Sequence, residues 1–221
     1  MPDSRLGDDP ARVELLSSEV VFDGAVWDIR RDTFTYNGES IVREYTDHTG
    51  AVAILAMDEQ DRVLLIKQYR HPVRYRDWEI PAGLLDVADE EPLAAAMREL
   101  AEEADLLAGR WNVLSEFYSS PGGSDEAIRV YLARDLSPIP AFARTAEEAD
   151  IEVRWVALDT VVDAVLARDV QNPSLTIGAL TAHVSRARGW VDLAPGDAPW
   201  PRRPKQRSTQ KQQKDATSRR A

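Results

Sequence analysis

Residues 81–106, PAGLLDVADEEPLAAAMRELAEEADL, leave the chain few ways to fold. Pro81 ends a strand-like run, Gly83 lets the chain turn, and Pro92 suits the first position of a helix reaching about Ala104. At about 100° per residue, Leu93, Ala96, Met97, Leu100 and Ala104 gather on one stripe that should face a core. Glu99 and Glu103 run along one border of that stripe, and Glu102 projects farther round. Like charges at these spacings weaken a helix by roughly 0.2–0.5 kcal/mol per pair. A border carboxylate is also partly desolvated, which makes its charge costly without a partner. One reading is a solvated acidic face. The other is a divalent cation, because magnesium favours oxygen ligands and commonly joins one or two carboxylates to substrate phosphates.

The flanks of this helix are strand-like. SEVVFDGAVWDIRRDTFTYNGESIVREYT alternates apolar and polar positions around Asn37-Gly38, a pair suited to the positive φ angles of a tight hairpin. AVAILAMDEQDRVLLIKQYR supplies two apolar, β-branched strands around a turn at Asp58 to Asp61. RWNVLSEFYSSPGG, AIRVYLAR and DIEVRWVAL follow as further strands. Helices are expected over 159–168 and 173–188, with Asp159 and Asn172 as N-caps and Pro173 at the first helical position. Strands, a helix, more strands and terminal helices predict an α/β (α+β) sandwich, with a mixed β-sheet between helices and an N-terminal antiparallel strand region. The expected division is 1–48, 49–190 and a tail over 191–221, with no internal repeat.

Composition narrows the function. The chain has 221 residues, enough for one substantial domain with appendages and short for two full ones, so a single core is expected. No run approaches the roughly 18 apolar residues of a membrane span. The start, MPDSRLGDDPARVELL, lacks the apolar core of a secretory signal, so a cytoplasmic protein is expected. Zero cysteines exclude disulfides, thiol catalysis and cysteine-bound zinc. The net charge of −11 is uneven, since eight Lys or Arg lie in 201–221, leaving about −18 for 1–200. Such a body does not track a phosphate backbone. From Ala194 onward the Pro-, Lys- and Gln-rich segment reads as a disordered tail, with nucleic acid or an acidic partner as its conceivable ligand and residues 201–221 dispensable for turnover.

Gly83, Glu90 and the run Arg98, Glu99, Leu100, Glu102, Glu103 resemble the Nudix box, the loop-helix-loop motif of hydrolases acting on nucleoside diphosphates linked to another group. Two departures stand out: one extra residue between Gly83 and Arg98, and Asp105 where a glycine is customary. The insertion falls in a loop, and Asp is among the few residues that adopt the left-handed conformation past a helix end.

Over roughly residues 18–180 the resemblance extends to the ADP-ribose pyrophosphatases, through GAVWDIRRD, HTGAVAILAMD, IKQYRHP, WEIPAGLLDVA, SSPGGSDE and EEADIEVRWV. It implies magnesium, with manganese as a substitute, bound by Ala82, Glu99 and Glu103, with Glu102 adjacent and Arg98 holding the box carboxylates. A glutamate from TAEEADIEVRW would help activate water, Glu148 first and Glu147 second; a solvated acidic turn is the plain alternative. Trp27 and Arg43, in the N-terminal strands, and Arg70 and Glu126 are candidate substrate contacts. Trp27 would stack on adenine or else fill a core or dimer interface, Arg70 would neutralise a phosphate or else lie on the surface, and Glu126 would approach the terminal ribose. The resemblance implies hydrolysis of ADP-ribose to AMP and ribose 5-phosphate by a homodimer. Cleavage of another nucleoside diphosphate derivative and non-catalytic sensing of ADP-ribose are the competing readings.

Overall fold

The computed structural model describes residues 6–141 and 151–203. The described residues separate into two compact units, one running through His48 and including Ser120–Asp125, the other holding Thr49–Ser119 and the described residues from Glu126 onward.

The first unit is a meander of β1 (Glu14–Asp23), β2 (Asp28–Tyr36) and β3 (Glu39–Asp47), paired antiparallel in that order. Tyr36 lies opposite Glu39, so Asn37 and Gly38 alone make the turn, at φ 54° and 82°. Positive φ at both positions matches the right-handed twist of the flanking strands. The Ser120–Asp125 loop is fastened here by the Thr46 N–H donating to the Gly123 carbonyl at 2.9 Å and the His48 N–H to Asp125 Oδ1 at 2.8 Å.

The second unit is built on β4 (Ala51–Ala56), whose residues AVAILA are all buried. A continuous apolar run of this kind marks a strand covered on both faces. Ala51, Ala53 and Leu55 enter one core with Val161, Leu175, Ala179 and Ala182. Val52, Ile54 and Ala56 enter another with Ala95, Ala96, Leu100 and Tyr131. β5 (Arg62–Arg70) alternates likewise, with Val63 and Leu65 in the first core and Leu64 and Ile66 in the second. The remaining elements are β6 (Tyr75–Glu79), β7 (Ala82–Leu84), α1 (Pro92–Ala104), β8 (Leu106–Tyr118), β9 (Ala127–Pro138), β10 (Glu152–Ala157), α2 (Leu158–Ala167), α3 (Pro173–Ala187) and β11 (Ala194–Pro195). One sheet has the order β11-β8-β9-β4-β7 and is mixed, since β4 and β9 run parallel; the other is β10-β5-β6. The expected sandwich of mixed sheet and helices is thus observed.

Several local expectations change. Met97 is 39% exposed and Ala95 fully buried, so the apolar face of α1 is rotated toward Ala95 and brings Glu103, 6% exposed, inside it. Asp159 lies in the first turn of α2 rather than at its cap, which is Ala157; its carboxylate accepts from Arg186 instead. Asn172 caps α3 as expected, accepting from Leu175 N–H at 3.0 Å. Trp27 is not in a strand but in the connection between β1 and β2. The expected disordered tail begins too early. Ala194 and Pro195 pair with Val113 and Asn112 of β8, and the Ala198 and Pro199 carbonyls accept from Arg129. The segment is held by its backbone carbonyls, which composition does not reveal, and by Trp200, which packs against the second core. No helix among the described residues is long and apolar enough to cross a membrane.

Candidate active site

β7 fixes one wall of the site. Ala82 and Gly83 lie opposite Ala53 and Val52 of the buried β4, and the Pro81 carbonyl accepts from Ile54 N–H at 2.7 Å. The short strand therefore inherits the rigidity of the core. The Ala82 N–H donates to Glu103 Oε2 at 3.0 Å, joining β7 to the last turn of α1. Gly83 does not supply a left-handed turn; its φ is not positive. What it supplies is space, because a Cβ there would collide with the Glu99 carboxyl group. At the far end of α1, Asp105 closes the helix at φ 55° and ψ 38°, the conformation foreseen for the departure from glycine.

Arg98 organises the carboxylates. Its Nε and Nη2 fork onto the two oxygens of Glu90, each at 3.0 Å, while Nη1 reaches Glu99 Oε1 at 2.6 Å and Glu102 Oε2 at 3.2 Å. Paired forks of this kind fix direction as well as charge. The Glu90 carboxylate raises the Arg98 pKa, so the guanidinium stays charged. Glu99 is 13% exposed in its side chain, and burial pushes its pKa up to about 6 despite Arg98. A buried carboxylate whose charge is this costly matches a cation-binding role. Among the described residues no three His, Asp or Glu side chains converge as a ready cage. The donors present are hard oxygens, which suit a cation that also takes ligands from substrate phosphates and water.

A pH dependence follows for the metal-free protein. Raised from an ordinary 4.5 to about 6, Glu99 binds more protons folded than unfolded between those values. Its contribution is therefore fully present below about pH 4.5 and is lost as pH rises through about 6. Glu99→Gln removes this titration, so the stability difference between variant and parent should move in the variant's favour by about 2 kcal/mol from pH 4 to pH 7. Urea melts at the two pH values, with chelator present, check it; a difference independent of pH would contradict the burial assignment.

The other candidates fall as follows. Arg70, on β5, forks onto Glu79 through Nε at 2.8 Å and Nη2 at 2.7 Å, and Gln68 joins the same carboxylate at 3.1 Å. The sequence reading missed Glu79, 2% exposed, because only the pairing of β5 with β6 brings it to Gln68 and Arg70. Glu126 precedes β9 and accepts from the Ser119 hydroxyl. In the first unit, Trp27 stacks on His48 with ring centroids 4.0 Å apart, and Arg43 on β3, opposite Asp32 of β2, is exposed with Nη1 donating to the Val42 carbonyl at 2.7 Å. Glu147 and Glu148 lie outside the described residues.

The NUDIX domain matches residues 47–176, more than half of the chain, including β7, α1 and the carboxylates around Arg98. This chain belongs to the Nudix family. Among its relatives, the ADP-ribose pyrophosphatase of Mycobacterium tuberculosis is 41% identical over 192 residues, 86% of this chain and 92% of that protein. The ADP-ribose pyrophosphatase of Bacillus subtilis is 36% identical, covering 70% of this chain and 84% of its own length. A solved ADP compounds hydrolase, 20% identical, superposes with a TM-score of 0.69 over 84% of this chain and all of its own, which supports the Nudix fold. Nudix hydrolases generally use divalent metal ions, in keeping with the donor set of Glu99 and Glu103.

Proposed function

We propose that this Nudix pyrophosphohydrolase cleaves the diphosphate of ADP-ribose with one water to give AMP and ribose 5-phosphate. The carrying observation is the meeting of α1 and β7, where Glu103 takes the Ala82 N–H and Glu99 fills the space left by Gly83. The relatives named ADP-ribose pyrophosphatase, matched over most of their length, support the choice of substrate.

The proposed metal ligands are the Ala82 carbonyl, Glu99 and Glu103, with Glu102 beside them, for magnesium or in its place manganese. A bound divalent cation would neutralise the diphosphate and acidify water. The protein's own part is orientation. β4 fixes β7, and Arg98 restrains Glu99 and Glu102 from the side of Glu90. Glu148, with Glu147 second, is proposed to position the attacking water, whose oxygen bonds to phosphorus as the bridging oxygen leaves. Arg70, Glu126, Trp27 and Arg43 are proposed substrate contacts; Arg70 would bring a guanidinium already aligned by Glu79.

We place the enzyme in the cytoplasm as a homodimer acting on a small nucleotide, with no membrane partner and with nucleic acid a partner only through the basic tail. Phe22, Leu15 and Leu16 of β1, each more than half exposed, support an intersubunit surface. The test is incubation with ADP-ribose beside nucleotide sugars and triphosphates, with and without magnesium, and chromatography of the products. AMP and ribose 5-phosphate should appear only with metal and fastest from ADP-ribose. Preference for another substrate would overturn the assignment, and binding without turnover would favour a sensor.

A further inference from the structure

We infer that the segment from Ala194 to Arg203 is a positioning strap for the catalytic carboxylates, acting through Arg203. The inference rests on the metal-site reading above and adds a residue to it. Arg203 Nη2 donates to the Glu90 carbonyl at 2.9 Å, and Nη1 lies 3.5 Å from Glu91 Oε2. Glu90 is the residue whose carboxylate forks onto Arg98, and Arg98 in turn holds Glu99 and Glu102. Three contacts therefore connect the strap to the box: Arg203 to Glu90, Glu90 to Arg98, Arg98 to Glu99.

The strap is anchored well enough to transmit position. β11 pairs with β8, and Asn112 Nδ2 donates to the Ala194 carbonyl at 3.2 Å. Gly196 lies so close to Trp111 that a Cβ would come within 2.9 Å of the Trp111 Cβ. Arg129, 2% exposed, donates to the Ala198 carbonyl at 2.8 Å and the Pro199 carbonyl at 3.0 Å and sits 4.8 Å from the Trp200 ring centre. Its charge is balanced by Glu116 at 2.6 Å, so this anchor is neutral overall.

Beyond the anchor, polar contacts must do what apolar packing does not. A cavity of about 480 Å³ lies between the strap and the start of α1, lined by Leu93, Met97, Tyr131, Trp200 and Arg203 among others. Solid packing therefore does not fix the Glu90–Glu91 turn from this side, and α1 has no side-chain cap at Glu91 to fix it. The Glu90 N–H donates to the Val87 carbonyl at 3.3 Å and the Ala95 N–H to the Glu91 carbonyl at 3.0 Å, and Arg203 adds the restraint on the Glu90 carbonyl. Without it the Glu90 backbone can shift, the fork on Arg98 loosens and Glu99 loses its fixed direction.

The test compares Arg203→Ala, Arg203→Lys, a chain ending at Arg203 and the full chain. Each is assayed for kcat, KM and the magnesium concentration giving half-maximal rate, and, without substrate, for manganese binding by electron paramagnetic resonance. Loss of partners one shell out typically costs about 10–100-fold in metal affinity or activity. Arg203→Ala, acting through Glu90 and Arg98, should weaken manganese binding and lower kcat by up to about tenfold, the lower end of that range, while KM for substrate holds. Arg203→Lys should recover part of both, and the chain ending at Arg203 should match the full chain, so the dispensability expected of residues 201–221 narrows to 204–221. Arg186→Ala, which breaks the pairs to Asp159 and Asp61 on α2 and the β4–β5 turn, serves as a control for general destabilisation. It should leave manganese binding unchanged. Parental manganese binding and kcat in Arg203→Ala would overturn the strap, as would an equal loss in Arg186→Ala. Failure of the full chain itself to bind manganese would instead overturn the metal-site reading and the strap with it.

Discussion

Glu103→Gln should reduce turnover of ADP-ribose by at least about 100-fold, the upper end of what loss of an outer-shell partner costs, since here a direct ligand is proposed. The fold should survive. Glu103 is 6% exposed, and its visible bond is acceptance from the Ala82 N–H at 3.0 Å. Glutamine offers a carbonyl oxygen of similar reach to the same donor, so the join between β7 and α1 is kept. It cannot offer an anionic oxygen, and its amide hydrogens would point donors where a cation needs lone pairs. Replacing a buried charge by a neutral group also removes a desolvation cost, so melting should occur at the parental temperature or above. Steady-state rates at saturating magnesium, with thermal melts of the metal-free proteins in chelator, separate these effects. Parental turnover would refute the proposed metal site, and a collapsed melt would show that Glu103 serves chiefly to hold the fold.

The parts of this architecture visible in the sequence are those set by local chemistry. Asn37-Gly38 makes its turn, Pro92 starts α1, and Asp105 adopts the left-handed conformation that ends it. The unbroken run Ala51–Ala56 marks the central strand, because apolar side chains on both faces leave no alternation to read. The carboxylates of α1 were legible because a helix fixes the directions of its own side chains. What stayed hidden depends on register or on backbone acceptors. Arg70 and Glu79 meet only when β5 and β6 pair. Glu103 enters the buried face because α1 is rotated toward Ala95, an angle set by packing against β4 rather than by periodicity. The segment 194–203 is held by carbonyls of Ala194, Ala198 and Pro199, groups that every residue carries and composition cannot rank.

Gly83→Ala isolates the one glycine whose role changed between sequence and structure. A glycine kept for a left-handed turn would reveal itself by a loss of stability on replacement. Gly83 has no positive φ, so alanine meets no backbone penalty there and, by restricting the unfolded chain, shifts stability by less than about 1 kcal/mol. The methyl group instead collides with the Glu99 carboxyl. Relief through β7 is blocked, because Gly83 is paired with Val52 of the buried β4. The side chain of Glu99 must give way, and Arg98, already forked onto Glu90, cannot follow it. A misplacement of about 1 Å at a reacting centre can cost about 100-fold, which is the expected loss in kcat, with little change in KM. Rate measurements beside a urea melt decide the matter. Full activity would show that catalysis does not need Glu99 in this position, whereas low stability with residual kcat in proportion to folded protein would show that the clash is relieved through β7 and not through Glu99.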